Sequence, residues 1–165
     1  MKRQLSNRAG FTLIEVIISI VVITIIAAIA GFGFIEITNG YLFAKKNAST
    51  AQQAQIAMMR IKKELSNINS VSSGQPTSIA YTRVLGGSHT ISWAGGNSPV
   101  LIDNTDTLIQ PVTLFGFVYY NDYLTAAPYT GANTSIIEIT LQVQGAGGAT
   151  ITFKDRVNLN LELNL

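Results

Sequence analysis

The feature that most constrains this chain is an apolar run at residues 11–35, which reads FTLIEVIISIVVITIIAAIAGFGFI and has Glu15 as its only charged residue. An α-helix rises about 1.5 Å per residue, so roughly 25 helical residues span about 37 Å, and a bilayer core needs about 20. The run therefore predicts a membrane-spanning helix near the N-terminus. The residues after the run are numerous enough for one modest globular portion.

Positive charge lies immediately before the apolar run, in Lys2, Arg3 and Arg8. The positive-inside rule places such a segment in the cytoplasm and the rest of the chain on the other side of the membrane. Removing these three cations from the 11 Lys and Arg residues leaves eight against nine Asp and Glu residues. The near-neutral remainder argues against strong nucleic-acid binding.

The small residues that could form a cleavage site lie before the apolar run and not after it. An ordinary secretory signal has its small-residue cleavage site after the apolar stretch. Here the residues after the run read EITNGYLFAKKN, without a convincing A-x-A site, whereas Ala9 and Gly10 lie before the run. A cut after Gly10 would remove a basic leader, residues 1–10, and keep the transmembrane helix, residues 11–35, in the mature protein.

Glu15 is the candidate functional residue of the apolar run. A carboxylate within a membrane segment is energetically costly and usually has a function. The run contains no Lys or Arg that could pair with it. Cleavage after Gly10 would create an α-amino group at Phe11, and that amine on a neighbouring helix would be a suitable partner. The alternative is a carboxylate near the membrane interface that reaches water.

The string GFTLIE at residues 10–15, after a short basic leader, resembles the N-terminal motif of type IV pilins and pseudopilins. The resemblance implies that a membrane prepilin peptidase cuts between Gly10 and Phe11. It also implies that the same enzyme acts as a methyltransferase on Phe11, and that Glu15 helps to dock the subunit into a filament. Further implied partners are other pilin or pseudopilin subunits, an inner-membrane assembly platform and membrane lipid.

The same resemblance implies a cellular location. The precursor would be a single-pass protein of the cytoplasmic (inner) membrane, with its head outside the cytoplasm, that enters a periplasmic or surface filament.

The apolar run departs from the pilin pattern in one respect. Many pilins have a proline near the end of the apolar run, where this chain has Gly31 and Gly33. These glycines either form a soft point in the helix or allow close helix packing.

Helical periodicity continues beyond the membrane segment. An apolar stripe with intervals of three and four residues predicts an amphipathic continuation over residues 36–69. The stripe consists of Ala44, Ala48, Ala51, Ala54, Met58, Ile61, Leu65 and Ile68. Turn formers and a proline at residues 70–76 are predicted to end this helix.

The remaining residues, 70–165, predict a β-rich globular head. Ile137, Ile139, Leu141 and Val143 alternate with polar residues, as do the apolar residues at odd positions 157–163. Such alternation predicts strands with one wet face. Shorter strands are expected at 78–84, 89–93, 100–102 and 112–120, with turns at the Gly-rich segments 86–87, 95–97 and 145–148. The predicted fold is α+β, with the long N-terminal helix packed on an antiparallel β-sheet.

The head weakly resembles the J-type minor pseudopilins of type II secretion and related minor pilins. The similar segments are residues 58–65, 101–104, 117–122 and 156–160. This resemblance implies a minor, structural subunit of a type IV pilus or a type II secretion pseudopilus.

Catalytic and metal chemistry have little support in the sequence. The chain has no cysteine, and His89 is the only histidine, so neither a catalytic triad nor a multi-His metal site is available. His89 is expected at the surface or at an edge. Oxygen ligands that could bind Ca²⁺ if the fold brought them together are present in Asp103-Asn104-Thr105-Asp106 and Asn121-Asp122, but Asx residues are commoner in turns. We expect no enzyme activity, no cofactor and no metal.

Two alternatives stay open at this stage. The first is a DNA-uptake or adhesive minor pilin whose head binds a ligand. The second is an exported hydrolase with an uncleaved anchor, which would need a catalytic constellation that the sequence does not offer.

Overall fold

The computed structural model describes residues 10–130 and 134–159. Within these residues, one long helix is followed by nine strands and a short 3-10 turn. The elements are α1 (Leu13–Ser66), β1 (Ile68–Gln75), β2 (Ser78–Arg83), β3 (Ser88–Trp93), β4 (Val100–Ile102), β5 (Asp106–Ile109), β6 (Leu114–Tyr120), β7 (Ala126–Ala127), β8 (Ile136–Gln144) and β9 (Thr150–Asn158), with the 3-10 turn at Ala146–Gly148. The predicted α+β fold is confirmed.

The chain divides into two compact units between Leu42 and Phe43. The N-terminal unit contains the first part of α1. The C-terminal unit begins at Phe43 and contains the rest of α1 together with all nine strands of the described residues. The division into leader, membrane helix, amphipathic helix and head that the sequence suggested stays a prediction.

The last third of α1 is a core element of the C-terminal unit. Its buried residues recur at helical spacing, because one face of the helix lies against the sheets. They are Ala54, Ala57, Met58, Ile61 and Leu65. The predicted stripe is therefore confirmed from residue 54 to residue 65, whereas Ala44 and Ala48 are exposed.

The nine strands form two antiparallel sheets. The first sheet has the order β1-β2-β3-β4-β5 and the second β7-β6-β8-β9. In each sheet alternate side chains point towards one common core, which also contains the buried face of α1. Ile79, Tyr81 and Ile91 contribute from the first sheet, and Ile139 and Leu141 from the second.

The prediction for residues 68–76 was wrong. Helix α1 ends at Ser66, and Ile68, which the stripe assigned to the helix, is buried at the start of β1. The segment INSVSSGQ has poor β propensity, so local sequence did not indicate a strand. Tertiary contacts define it instead: β1 pairs with β2, and the hydroxyl of Tyr129 donates to the carbonyl of Val71 at 2.7 Å.

The remaining differences concern short or shifted strands. β5 and β7 were not predicted, because four and two residues are too few to show alternation. β9 begins at Thr150, seven residues before the predicted start at 157. It ends at Asn158, and the predicted continuation at 160–163 lies outside the described residues.

The face of β8 that was predicted to be solvent-exposed is only partly exposed. Ile136 and Glu138 are buried, although they lie on the face opposite the core residues Ile137 and Ile139. β8 is a central strand between β6 and β9, so long side chains of its neighbours cover this face. Glu138 is covered by Lys154 and Arg156.

Candidate functional site

The predicted cleavage junction lies just before α1. Gly10 and Phe11 are exposed and outside regular secondary structure, and the helix begins at Leu13. The bond between Gly10 and Phe11 therefore belongs to accessible, non-helical backbone. A peptidase can bind such a segment without unwinding a helix.

Thr12 caps the helix, and Glu15 is the third helical residue. The amide of Glu15 donates to the Thr12 carbonyl at 3.1 Å and, more weakly, to the Thr12 hydroxyl at 3.4 Å. Thr-x-x-Glu is the sequence pattern of a capping box, a local signal that could have located the start of the helix from sequence. A carboxylate in the first turn also interacts favourably with the helix dipole. Glu15 thus has a local stabilising role besides any contact with a partner.

The N-terminal unit presents an apolar surface to its surroundings. Its large apolar side chains from Phe11 to Ile37 are between 46% and 81% exposed. A soluble protein rarely exposes a patch of that extent. Helix α1 contains a window that is long and apolar enough to cross a membrane, so this surface fits a lipid environment.

The hydroxyl groups of the apolar run are satisfied within the helix. Ser19 donates to the carbonyl of Glu15 and Thr24 to that of Ile20, each at 2.7 Å. Hydroxyls bonded in this way do not need water, so they are compatible with a bilayer core. The carboxylate of Glu15 is therefore the polar group of the run that still needs a charged or hydrogen-bonding partner, or contact with water at the membrane interface.

Gly31 and Gly33 lie within an unbroken helix. A β-carbon at either position would meet nothing within 4 Å beyond the neighbouring residues and backbone of its own helix. Within the described residues nothing requires a glycine there, and both interpretations of the pair, a soft point or close packing, stay open.

The comparison with known families covers this same segment. The prokaryotic N-terminal methylation motif matches residues 5–31. The match supports membership of the type IV pilin-like family. It extends from the basic leader through the predicted junction and Glu15 to Gly31, so it coincides with the exposed apolar part of α1. No curated protein and no solved structure matches the chain.

A motif of this kind implies processing by a prepilin peptidase and assembly with other pilin subunits, and the type IV pilin-like proteins that have it are structural subunits. Among the described residues, α1 is the one helix that is long and apolar enough to cross a membrane, and its place near the N-terminus is consistent with an inner-membrane anchor. The motif does not extend to the sheets, so the task of the C-terminal unit has to be inferred separately.

Two of the acidic residues that suggested a Ca²⁺ site, Asp103 and Asp122, have structural roles in turns, whereas Asp106 begins β5 and lies 3.9 Å from Arg60. Asp103 and Asn104 have positive φ values of 54° and 58° and form the tight turn between β4 and β5. The Asp103 carboxylate accepts from His89 Nδ1 at 2.7 Å and from the Thr90 amide at 2.9 Å. The hydrogen bond from His89 holds the pKa of Asp103 below its usual range.

Asp122 stabilises a separate loop of the second sheet. Its carboxylate accepts from the amides of Leu124 and Thr125, at 2.8 and 2.6 Å. Asp103 lies in the β4–β5 turn of the first sheet, and its carboxylate has its own hydrogen-bond partners there. Among residues 10–130 and 134–159, no group of three or more His, Asp or Glu side chains has an arrangement that could hold a metal ion.

His89 differs from its predicted place. It lies on β3, a central strand, rather than at an edge, and its side chain is 22% exposed. It packs against the ring of Tyr81 with a centroid distance of 6.0 Å and shares a hydrogen bond with Asp103. Its environment is that of a residue that fixes the β4–β5 turn.

Glu138 is the buried charge that the sequence did not indicate. Its side chain is 5% exposed, with Lys154 Nζ at 2.7 Å and Arg156 Nε at 2.8 Å. Burial opposes its ionisation, but the hydrogen bonds from Lys154 and Arg156 outweigh burial, so the pKa of Glu138 lies below its usual range. Arg156 also stacks on Tyr120, 4.6 Å from the ring centroid. This cluster stabilises the sheet and leaves the carboxylate no free oxygen for chemistry.

Proposed function

We propose that this chain is the precursor of a minor structural subunit of a type IV pilus or a type II secretion pseudopilus. The observation that carries the proposal is the coincidence of the methylation motif at residues 5–31 with the exposed apolar part of α1. A helix with such a surface needs either lipid or other helices around it. A filament subunit uses both environments in turn, first in the membrane and then in the assembled filament.

The first step of the proposal is cleavage between Gly10 and Phe11, followed by methylation of Phe11. Its support is the position of the junction in exposed, non-helical backbone two residues before the start of α1. Cutting there removes Lys2, Arg3 and Arg8 and keeps the whole helix. The new α-amino group then stands at the end of the apolar run.

The second step is assembly through Glu15. The carboxylate costs roughly 2.5–3.5 kcal/mol at a bilayer centre and less near the interface, so a cationic partner within the membrane would favour its association. The α-amino group of Phe11 on a neighbouring subunit is such a cation. The pairing creates a preference for a neighbour that has itself been cleaved, because an uncleaved chain has no amine at that position.

Mass spectrometry of the mature N-terminus tests the processing step. In cells with an active prepilin peptidase, we expect the chain to begin at methylated Phe11. Cells without the peptidase, and a Gly10→Val variant, are the matched controls and should keep the leader. A chain that still begins at Met1 in the peptidase-positive cells, or one cut near residue 40, would overturn the proposal.

The minor-subunit part of the proposal has its own test. Its support is the weak J-type resemblance of the C-terminal portion. A minor subunit should be present in purified filaments at a small fraction of the copy number of the major subunit, measured by quantitative mass spectrometry with labelled peptides. A copy number equal to that of the most abundant subunit would contradict this assignment and leave the processing step untouched.

A further inference from the structure

The connection between β8 and β9 makes an unusually close contact with α1. This loop, Gly145–Ala149, lies against Phe43 and Asn47, and we call the loop and these two helix residues the clasp. The Ala146 amide donates to Asn47 Oδ1 at 2.7 Å, across 99 residues of sequence. The loop is closed on itself by a bond from the Gly145 amide to the Ala149 carbonyl at 2.7 Å.

Two glycines of the loop are required for this contact. Gly145 has φ −83° and ψ −166°, which any residue adopts, yet a β-carbon there would collide with Asn47 Oδ1. Gly147 has φ +63°, and a β-carbon there would lie 2.8 Å from Phe43 Cε2. The first glycine is therefore needed for close approach alone, and the second for approach and backbone conformation together.

The helix between the clasp and the core is weakly held. From residue 43 to residue 53 no side chain is fully buried in the described structure, and the first buried residue is Ala54. A cavity of about 260 Å³ lies beside these turns, lined from the helix by Lys46, Thr50 and Gln53, from β8 by Val143 and from the β5–β6 connection by Pro111. Three helical turns therefore lie beside this cavity, and the clasp contacts the N-terminal end of these turns.

We propose that the clasp controls a local opening in which residues 43–53 leave the sheets while the core around residues 54–65 stays intact. The two segments differ in the way they are held: five buried side chains hold residues 54–65, whereas residues 43–53 have no fully buried side chain and are tied to the β8–β9 loop by the hydrogen bond of the clasp. Local openings of proteins occur where few apolar groups are buried. In a filament subunit the opening would expose these turns to a neighbour, a consequence that rests on the proposed function.

Cysteine accessibility measures this opening directly, because the chain has no cysteine of its own. A Thr50→Cys reporter lies at the cavity, and an Ala57→Cys reporter lies in the core at 2% exposure. The experiment uses the detergent-solubilised full chain. We expect Asn47→Ala to raise the rate of maleimide labelling at Thr50→Cys about five- to tenfold, because the loss of roughly one hydrogen bond changes an opening equilibrium by about that factor. Labelling at Ala57→Cys should not change. An unchanged rate at Thr50→Cys, or an equal rise at both reporters, would overturn the proposal.

Variants of the loop provide the matched controls, since they leave the helix untouched. Gly145→Ala should open the clasp as Asn47→Ala does, because its methyl group collides with Asn47. Gly148→Ala, unlike Gly145→Ala, places a β-carbon at a positive φ, +78°, but that β-carbon meets only Gln144 at 3.7 Å and not the helix, so the variant should change labelling much less. The double variant Asn47→Ala/Gly145→Ala should label no faster than Asn47→Ala alone. Additive effects of the two substitutions would mean that they do not act through one contact.

Discussion

A substitution series tests what the charge of Glu15 contributes. Glu15→Gln keeps the size of the side chain but removes the charge, whereas Glu15→Ala removes the charge and most of the side chain. We expect both variants to be cleaved after Gly10 about as well as the wild type, because the junction precedes the helix. Both should lose most of their incorporation into filaments if the partner of Glu15 is the α-amino group of Phe11.

The measurement is the ratio of filament-bound to membrane-bound subunit, by immunoblotting of sheared and membrane fractions. Glu15→Asp is the control that retains the charge and should keep part of the incorporation. Normal incorporation of Glu15→Gln would show that the carboxylate charge is not required for assembly.

Asp103 gives the C-terminal unit a pH-dependent contribution to stability. The hydrogen bond from His89 lowers the pKa of Asp103 in the folded state. A lowered pKa means that the carboxylate stabilises the fold above the unfolded value of about 3.9, and that this stabilisation is lost as the pH falls through the folded value. Asp103→Asn keeps an acceptor for the Thr90 amide and tolerates the positive φ.

We therefore expect the melting temperature of Asp103→Asn to lie below that of the wild type at pH 6, and the difference to shrink towards zero at pH 2. Thermal unfolding of the detergent-solubilised chain, followed by circular dichroism across this pH range, measures it. A difference that is the same at pH 6 and pH 2 would mean that the carboxylate charge is not the cause.

At the scale of elements, the C-terminal part of α1 has one buried face and one exposed face. The same helix buries Ile61 completely and leaves Ile56 59% exposed. Ile61→Ala removes buried methyl groups and leaves a cavity, so we expect it to lower the free energy of unfolding by about 2–5 kcal/mol. Ile56→Ala removes exposed groups at a position where alanine is a good helix former, so its effect should stay within about 0.5 kcal/mol. Urea unfolding of the two variants side by side distinguishes these values, and equal losses would contradict the packing of α1 against the sheets.

The same elements explain which parts of the fold were predictable from sequence. The strand around Ile139 and the helix around Ile61 have strong periodicity, because each buries one face against the core. β1 has no such signal: its Ser, Asn and Gly residues form a strand because β2 and Tyr129 provide its partners. The clasp was equally hidden, since Asn47 and Ala146 are 99 residues apart and the Gly-rich loop indicated only a turn.

The residues of the candidate site, unlike β1 and the clasp, have a clear signal in the local sequence. The signals at Gly10, Phe11 and Glu15 are local, because the proposed cleavage and the proposed membrane insertion would each depend on a short linear stretch of chain. The sequence therefore carries that prediction without help from the fold. The pairing of Glu138 with Lys154 and Arg156, by contrast, depends on strand register, which alternation alone does not define.

At the scale of the whole molecule, the apolar surface is divided unequally between the two units. Large exposed apolar side chains are almost continuous from Phe11 to Phe43, whereas beyond Phe43 they occur singly or in pairs, such as Ile56 or Leu85. Scattered exposed residues of this kind are normal in soluble proteins. A fragment that begins at Phe43 keeps the clasp, the buried stripe of α1 and both sheets.

We therefore expect the fragment 43–165 to be soluble without detergent, to unfold cooperatively in urea and to remain in the aqueous phase on detergent phase separation. The full chain should move into the detergent phase. A second fragment that begins at Ala54 retains the buried stripe but loses Phe43 and Asn47. It should keep its fold, since residues 54–65 provide the helix side of the core, while the Ala146 amide loses its acceptor and exchanges with solvent faster than in the longer fragment. Recovery of the fragment 43–165 in the detergent phase, or the absence of a cooperative transition, would mean that the C-terminal unit depends on the N-terminal half of α1 for its stability.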